Sequence, residues 1–255
     1  MKIAEITFSP TGGTQKVANI ITSELSGTVS KIDLTDWKTD FENIILEKED
    51  VAVIAVPSYG GRVPALAVER IKRLHGNQTK CVLVCVYGNR AYEDTLVELN
   101  DIAEDSGFRV IAAISAIAEH SIMHQYATGR PDGKDKAELC GFAKQIMKKI
   151  DDGAAENKIL DLPGNHPYKK SGGSGLVPKT KGNCINCGLC AKKCPAQAIS
   201  YENNQHTDGS KCISCMRCVS ICPQSARTLN KLMVSAVALA MKKVCSKRKN
   251  NELFL

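Results

Sequence analysis

Eight of the chain's twelve cysteines fall into two runs of identical spacing, Cys184, Cys187, Cys190 and Cys194, then Cys212, Cys215, Cys218 and Cys222. Every member of the second run lies 28 residues after its counterpart, and Ile185/Ile213, Pro195/Pro223 and Ala198/Ala226 keep the same offset, so this segment is an internal duplication. Thiolates at such density bind soft metals. Three at steps of three wrap a tight turn whose amides point at the sulfurs and stabilise their negative charge, while the fourth leaves the turn and a proline redirects the chain. No apolar signal region follows Met1-Lys2, and reduced thiols in a cytoplasmic protein argue against a disulfide framework. Zinc is the competing metal. A zinc ribbon, however, needs two C-x2-C pairs and has no use for a third cysteine at the same step in each half.

A different chemistry is written into the cysteine-poor first part. In "SPTGGTQKVA", Ser9, Thr11 and Thr14 supply hydroxyls, and Gly12 and Gly13 permit close backbone approach. A helix starting near residue 14 would aim its free N–H groups into the same loop, which makes an anion site without lysine. Two further loops carry glycine beside tyrosine: "PSYGGRVP", with Pro57, Ser58, Tyr59, Gly60 and Gly61, and "VYGNRAYED", with Tyr87, Gly88, Asn89, Arg90 and Tyr92. An isoalloxazine ring needs flat apolar surface to stack on and backbone groups for its pyrimidine edge, so Tyr59 and Tyr92 are stacking candidates.

The elements that must position these loops follow from hydrophobic periodicity. Apolar runs predict strands over 2–8, 28–34, 51–56, 80–87 and 108–118, and amphipathic patterns predict helices over 14–25, 64–74, 92–105 and 135–150. Such alternation implies a parallel sheet covered on both faces, with ligands at the carboxyl ends of its strands, where the three loops lie.

The spacing C-x2-C-x2-C-x3-C-P, written twice, resembles that of the two-cluster bacterial ferredoxins. That resemblance implies two 4Fe-4S clusters with an exchanged fourth ligand: one on Cys184, Cys187, Cys190 and Cys222, the other on Cys212, Cys215, Cys218 and Cys194. Residues 1–150, with their three loops, resemble the flavodoxins. The whole chain resembles the flavodoxin-ferredoxin fusion proteins of anaerobic bacteria, and the segment 119–132 is similar to part of that family rather than to a short flavodoxin. The resemblance implies an α/β fold, a flavodoxin-like doubly wound parallel five-stranded sheet in the order 2-1-3-4-5, with a second, smaller α+β two-cluster ferredoxin domain. It also implies FMN held by Ser9, Thr11, Gly12, Gly13, Thr14, Pro57, Ser58, Tyr59, Gly60, Gly61, Tyr87, Gly88, Asn89, Arg90 and Tyr92. His120 and His124 would lie near the flavin, with His120 a candidate catalytic proton donor. Arg62 and Arg90 would border the ring, where positive charge favours the anionic reduced form.

The expected organisation is a flavodoxin-like domain over 1–160, a linker over 161–176, a ferredoxin-like domain over 177–228, and an amphipathic helix with a basic tail over 229–255. In that last helix Leu229, Leu232, Met233, Ala236, Val237, Ala240, Met241 and Val244 recur at helical steps and are expected to pack on the protein's own surface, ahead of a solvated terminus carrying an exposed, inert Cys245. Cys81, Cys85 and Cys140 read as core thiols. Residues 1–160 hold 19 Lys/Arg against 23 Asp/Glu, net −4, and residues 161–255 hold 15 against 4, net +11. The basic lysines are not interleaved with stacking aromatics, and cluster thiolates balance much of that charge, so nucleic acid is not expected. The longest apolar run is too short to span a bilayer. A cytoplasmic electron carrier that relays electrons between FMN and two clusters, with redox proteins as donor and acceptor, is the expectation. The alternative is an FMN-dependent reductase of a quinone or nitro compound, fed by the clusters. No G-x-G-x-x-G follows a strand, so a nicotinamide site is not evident.

Overall fold

A computed structural model describes residues 1–153, 161–172 and 175–255. The first part alternates β1 (Lys2–Thr7), α1 (Gly13–Thr22), β2 (Thr28–Asp33), β3 (Val51–Pro57), α2 (Ala65–Ile71), β4 (Lys80–Tyr87), α3 (Thr95–Asp105), β5 (Arg109–Ile117) and α4 (Gly133–Asp151). Its strands pair in parallel in the order β2-β1-β3-β4-β5. β3 and β4 are buried on both faces, which is why their sequences are nearly unbroken apolar runs. One core, with Ile6, Ile54, Leu83, Leu96 and Leu99, lies under α2 and α3. The opposite core joins Val53, Val84 and Ile114 to Val17 and Ile21 of α1 and to Leu139 and Ile146 of α4. The order 2-1-3-4-5 is that of the flavodoxin-like doubly wound sheet, and its switch point lies between the carboxyl ends of β1 and β3.

The sheet has six strands rather than the five expected. Beyond β6 (Lys179–Thr180) and β7 (Arg227–Thr228), which pair antiparallel with each other, and α7 (Lys231–Cys245), the chain returns, and β8 (Glu252–Phe254) pairs antiparallel with β5 at Ser115, Ile114 and Ala113. The added strand covers an edge that would otherwise expose unpaired backbone groups. The basic tail is therefore docked through its backbone and Asn251, while Lys242, Lys243, Lys247 and Arg248 stay exposed as expected. Asn251 is buried, accepts from the Ile117 N–H (3.0 Å) and donates to Glu138 (2.7 Å), while Arg248 pairs with Asp132 (2.6 Å). Asn89 donates to the carbonyls of Cys245 and Lys247 (2.7 and 2.9 Å), and Cys245 itself is buried, contrary to the exposed thiol expected.

α7 also differs in which face it uses. Ala238 and Cys245 join Met123 and Tyr126 in a small core, with Ile122, Val234 and Met241 packed against it, and the Tyr126 hydroxyl donates to the Ala238 carbonyl (2.5 Å). Leu232, Met233, Val237 and Val244, which belong to the stripe read from the sequence, are exposed. The loop 119–132 selects the narrower face because it offers Met123 and Tyr126 as apolar partners there. Among the described residues no helix is long and apolar enough to cross a membrane.

The domain boundary expected at residue 160 and part of the expected linker, residues 173–174, lie outside the described residues. Residues 165–169 of the segment expected to be a linker are strapped to α3 and the residue just before it. Asp94, buried at the start of that helix, accepts from the Asn165 N–H and side-chain amide (3.0 Å each) and from the Lys169 N–H (2.7 Å). Asp101 meets His166 (2.7 Å) and the Tyr168 hydroxyl, and Leu162 packs against the core.

Candidate functional site

The cysteine segment keeps its duplication in the backbone. α5 (Leu189–Lys192) and α6 (Arg217–Ser220) are single turns 28 residues apart. Left-handed residues stand at equivalent places, Asn186 and Ser214, Gly188 and Met216, Gln197 and Ser225. Such residues turn successive N–H groups inward and make an anion-accepting concavity. In each repeat the alanine four residues after the last cysteine donates its N–H to that cysteine's sulfur: Ala198 to Cys194 and Ala226 to Cys222, both at 3.3 Å.

This geometry creates two cavities and divides the thiols between them. One is lined by Cys184, Cys187, Cys190 and Cys222. The second is lined by Cys194, Cys212, Cys215 and Cys218. Each cavity thus takes three cysteines from one repeat and the fourth from the other. The thiols border a space instead of converging on a point, and among the described residues no group of three or more His, Cys, Asp or Glu is arranged to hold a single ion. A cuboidal cluster with four thiolate ligands fits such walls, and the inward N–H groups suit its negative sulfurs.

The two sets differ in setting. Cys194 and Cys215 are buried, whereas Cys187 is exposed. Burial pushes the Cys215 thiol up to about 11 and Cys218 to about 12. At Cys222 burial also opposes the thiolate, but N–H donors from Ala226, Gln224 and Arg227 outweigh it and hold the thiol below its ordinary value.

The second cavity lies against the α/β domain. Ile213 packs on the core beneath α2 and α3. Arg70, buried in α2, donates to the carbonyls of Leu34 (2.5 Å) and Pro195 (2.7 Å), so one guanidinium joins a sheet loop to the proline that follows Cys194. Arg217 donates to Thr35 Oγ1 (2.6 Å). The Tyr59 hydroxyl is raised well above the ordinary phenol range by burial first and then by the nearby Cys215 sulfur.

At the switch point, Gly12 is left-handed (φ 91°) and caps α1 without a side chain. A Cβ there would meet nothing within 4 Å, so the space above this loop is open. Ser9 Oγ accepts from the Gln15 N–H (2.9 Å), fixing the loop, and Thr14 is buried beneath it. The hydroxyls, the open glycine and the helix N-terminus suit a phosphate. In the second loop Tyr59 and Arg62 exchange backbone hydrogen bonds (3.0 and 3.2 Å) around Gly60 and Gly61, both at positive φ. Any side chain at residue 61 would collide with Glu93. Ser58 Oγ lies 2.7 Å from Thr95 Oγ1, which ties this loop to the start of α3.

The remaining candidates are held by neighbours that the sequence does not signal. Tyr92 stands edge-on to Tyr87 (5.2 Å between centroids) and donates to Glu252 of β8 (2.8 Å). Arg62 makes a two-point pair with Glu98 (2.7 Å at both contacts) and lies over the Tyr168 ring (4.8 Å), so its charge is committed to α3 and the linker. Arg90 pairs with Glu93 (2.8 Å). His120 packs its ring on Gly88, and its Nδ1 accepts from the N–H groups of Ile122 and Met123 (3.2 Å each). Burial, followed by the charges of His124 and Arg90, lowers His120 to about 4. Burial at this position thus favours the neutral imidazole over the charged one. Asp94, Arg70 and Glu252 carry the positioning load and have no motif to mark them.

Residues 177–235 match the family described as the 4Fe-4S dicluster domain. No curated protein matches the chain. Among solved structures it is similar to a flavodoxin of Streptococcus pneumoniae TIGR4 (18% identity over 58% of this chain and 99% of that one, TM-score 0.44). It is also similar to flavodoxin 1 of Bacillus cereus (15%, 58% and 98%, TM-score 0.42) and to the two-electron reduced flavodoxin of Megasphaera elsdenii (20%, 56% and 98%, TM-score 0.41). The fold assignment itself rests on the strand order. A doubly wound sheet of flavodoxin order, continued in the same chain by a segment that matches the 4Fe-4S dicluster domain, gives this protein the make-up of a flavodoxin-ferredoxin fusion.

Proposed function

We propose that the protein relays electrons between one FMN at the β1/β3 switch point and two 4Fe-4S clusters, and that it exchanges them with external redox proteins. When bound, the flavin supplies a centre that handles one or two electrons and each cluster one that handles a single electron. The protein's own residues bind and position these groups. Ser9, Thr11, Gly12, Gly13 and Thr14 would receive the phosphate, and residues 57–61 and 87–92 would flank the ring. Cys184, Cys187, Cys190 and Cys222 would hold one cluster, and Cys194, Cys212, Cys215 and Cys218 the other.

The observation that carries this reading is the placement of the second cysteine set against the sheet and its helices, where Ile213 between Cys212 and Cys215 packs on the core and Arg70 donates to the Pro195 carbonyl beside Cys194. Ile213, Arg70 and Arg217 hold the set there, and the linker is fastened to α3, which supports a docked arrangement. The first set, with Cys187 exposed beside exposed Ile185 and Tyr201, is the side open to a partner.

Anaerobic purification followed by iron, sulfide and flavin assays tests the proposal. About eight irons, about eight sulfides and one FMN per chain are expected from two four-iron clusters and one flavin. Zinc in place of iron, or a protein that binds no flavin, would contradict it.

A further inference from the structure

The two repeats differ at one buried position. Ile199 and Arg227 are equivalent, each five residues after the last cysteine of its run, and both are buried, at 4% and 3% exposure. Where one repeat buries an aliphatic side chain, the other buries a guanidinium.

A cation taken out of water carries a large desolvation cost unless opposite charge accompanies it. Arg227 donates through Nη1 to Thr207 Oγ1 (2.6 Å) and through Nη2 to the Asn204 carbonyl, and Nη2 also lies 3.5 Å from Cys190 Sγ. None of these partners is a carboxylate. Arg227 also lines the first cavity beside Cys184, Cys187, Cys190 and Cys222. What is available to balance the guanidinium is sulfur. The second cavity has a cation of its own, Arg217, but that side chain is only half-buried and turns its Nη1 to Thr35.

We propose that Arg227 is the built-in counter-charge of the cluster site formed by Cys184, Cys187, Cys190 and Cys222, and that it raises the reduction potential of a cluster held there. This rests on the reading of the two cysteine sets as cluster sites. The physical basis is direct: a fixed positive charge in a poorly screened interior favours the form carrying one more electron, and the effect falls with distance. The charge also reaches Cys212 and Cys218 of the second set, but the sulfur contact, Nη2 to Cys190 Sγ, and the cavity that Arg227 lines are those of the first set, so the larger effect belongs to that set. It makes the two halves of the duplication electrically unequal.

The test compares wild type with Arg227→Gln, which keeps N–H donors but loses the charge, and Arg227→Lys, which keeps the charge. Each is purified anaerobically, assayed for iron and sulfide, and titrated potentiometrically with EPR detection. The expected result is that one of the two cluster reduction steps moves to more negative potential in Arg227→Gln, with the other step moved less, while Arg227→Lys stays near wild type. Unmoved potentials in a fully loaded Arg227→Gln, or an equal shift in Arg227→Lys, would overturn the proposal. Should Arg227→Gln lose iron, loss of about half the iron in that variant with full retention in Arg227→Lys supports the counter-charge, and equal loss in both overturns it. Wild type without iron and sulfide would instead contradict the cluster reading itself.

Discussion

The two cysteine cavities are built from one duplicated sequence, yet they sit in different surroundings. The set completed by Cys194 is buried against the α/β domain, with Ile213 in that domain's core and Arg70 and Arg217 bridging to it. The set completed by Cys222 faces outward through Cys187, with Ile185 and Tyr201 exposed nearby. Duplication therefore supplies two equal binding turns, and docking makes one inner and the other outer. What distinguishes the two sites follows from the neighbours of each turn and not from the turn itself.

That contrast is most sharply broken by removing one ligand from each side. Cys215→Ser and Cys187→Ser should each reduce the iron content from about eight to about four per chain, since each proposed site would hold four irons. Only Cys215→Ser should abolish reduction of the flavin by light-reduced clusters in the same molecule, read at the flavin's visible band. Equal behaviour of the two variants would remove the inner and outer assignment.

The next largest effect is expected at Asp94. Its carboxylate is held below the usual carboxylate range, first by the Lys169 N–H, with burial opposing and Asn165 assisting. Asp94→Ala leaves these donors without their acceptor and should cost about 2–4 kcal/mol in chemical denaturation. Because the folded group is more acidic than the unfolded one, the stabilisation is present above about pH 4, the unfolded value, and is lost as pH falls through the folded value. A pH titration of stability in which wild type and Asp94→Ala run parallel through the acid range would contradict this.

Much of this was legible in the sequence, though unevenly. The cysteine duplication and the strands themselves were visible because repeats and apolar periodicity are regular signals, and the strand over 80–87 is β4 residue for residue, whereas the strand order came only through the family resemblance. The straps were not visible. Asp94, Arg70, Asn251 and Glu252 are single polar residues whose partners lie far off in the chain, and no local pattern marks a side chain that will meet residue 165 or residue 195. β8 is three residues long, too short for alternation to show, and α7 turned a face to the protein that its apolar stripe did not predict. Arg227 did leave a trace, since aligning the two repeats sets it beside Ile199.

Arg70→Met sharpens the comparison from the inner side. It leaves the Leu34 and Pro195 carbonyls without their donor and should destabilise the protein by about 2–3 kcal/mol in denaturant. Limited proteolysis should also cut the segment 161–176 faster in this variant, and an unchanged cleavage rate would argue against a docking role. The smallest effect belongs to the outer face. Ile185→Ser should change stability by less than about 0.5 kcal/mol, because the side chain is already exposed, yet it should slow electron exchange with an external carrier protein. A rate equal to that of wild type would remove Ile185 from the partner surface.

The central claim is that the inner set is docked beside the flavin within one molecule. It is tested most directly by flash photoreduction of the holoprotein at a series of concentrations. The account predicts that flavin reduction follows cluster reduction at a first-order rate that does not change on dilution. A rate that falls in proportion to protein concentration, or a flavin that stays oxidised while the clusters turn over, would contradict it.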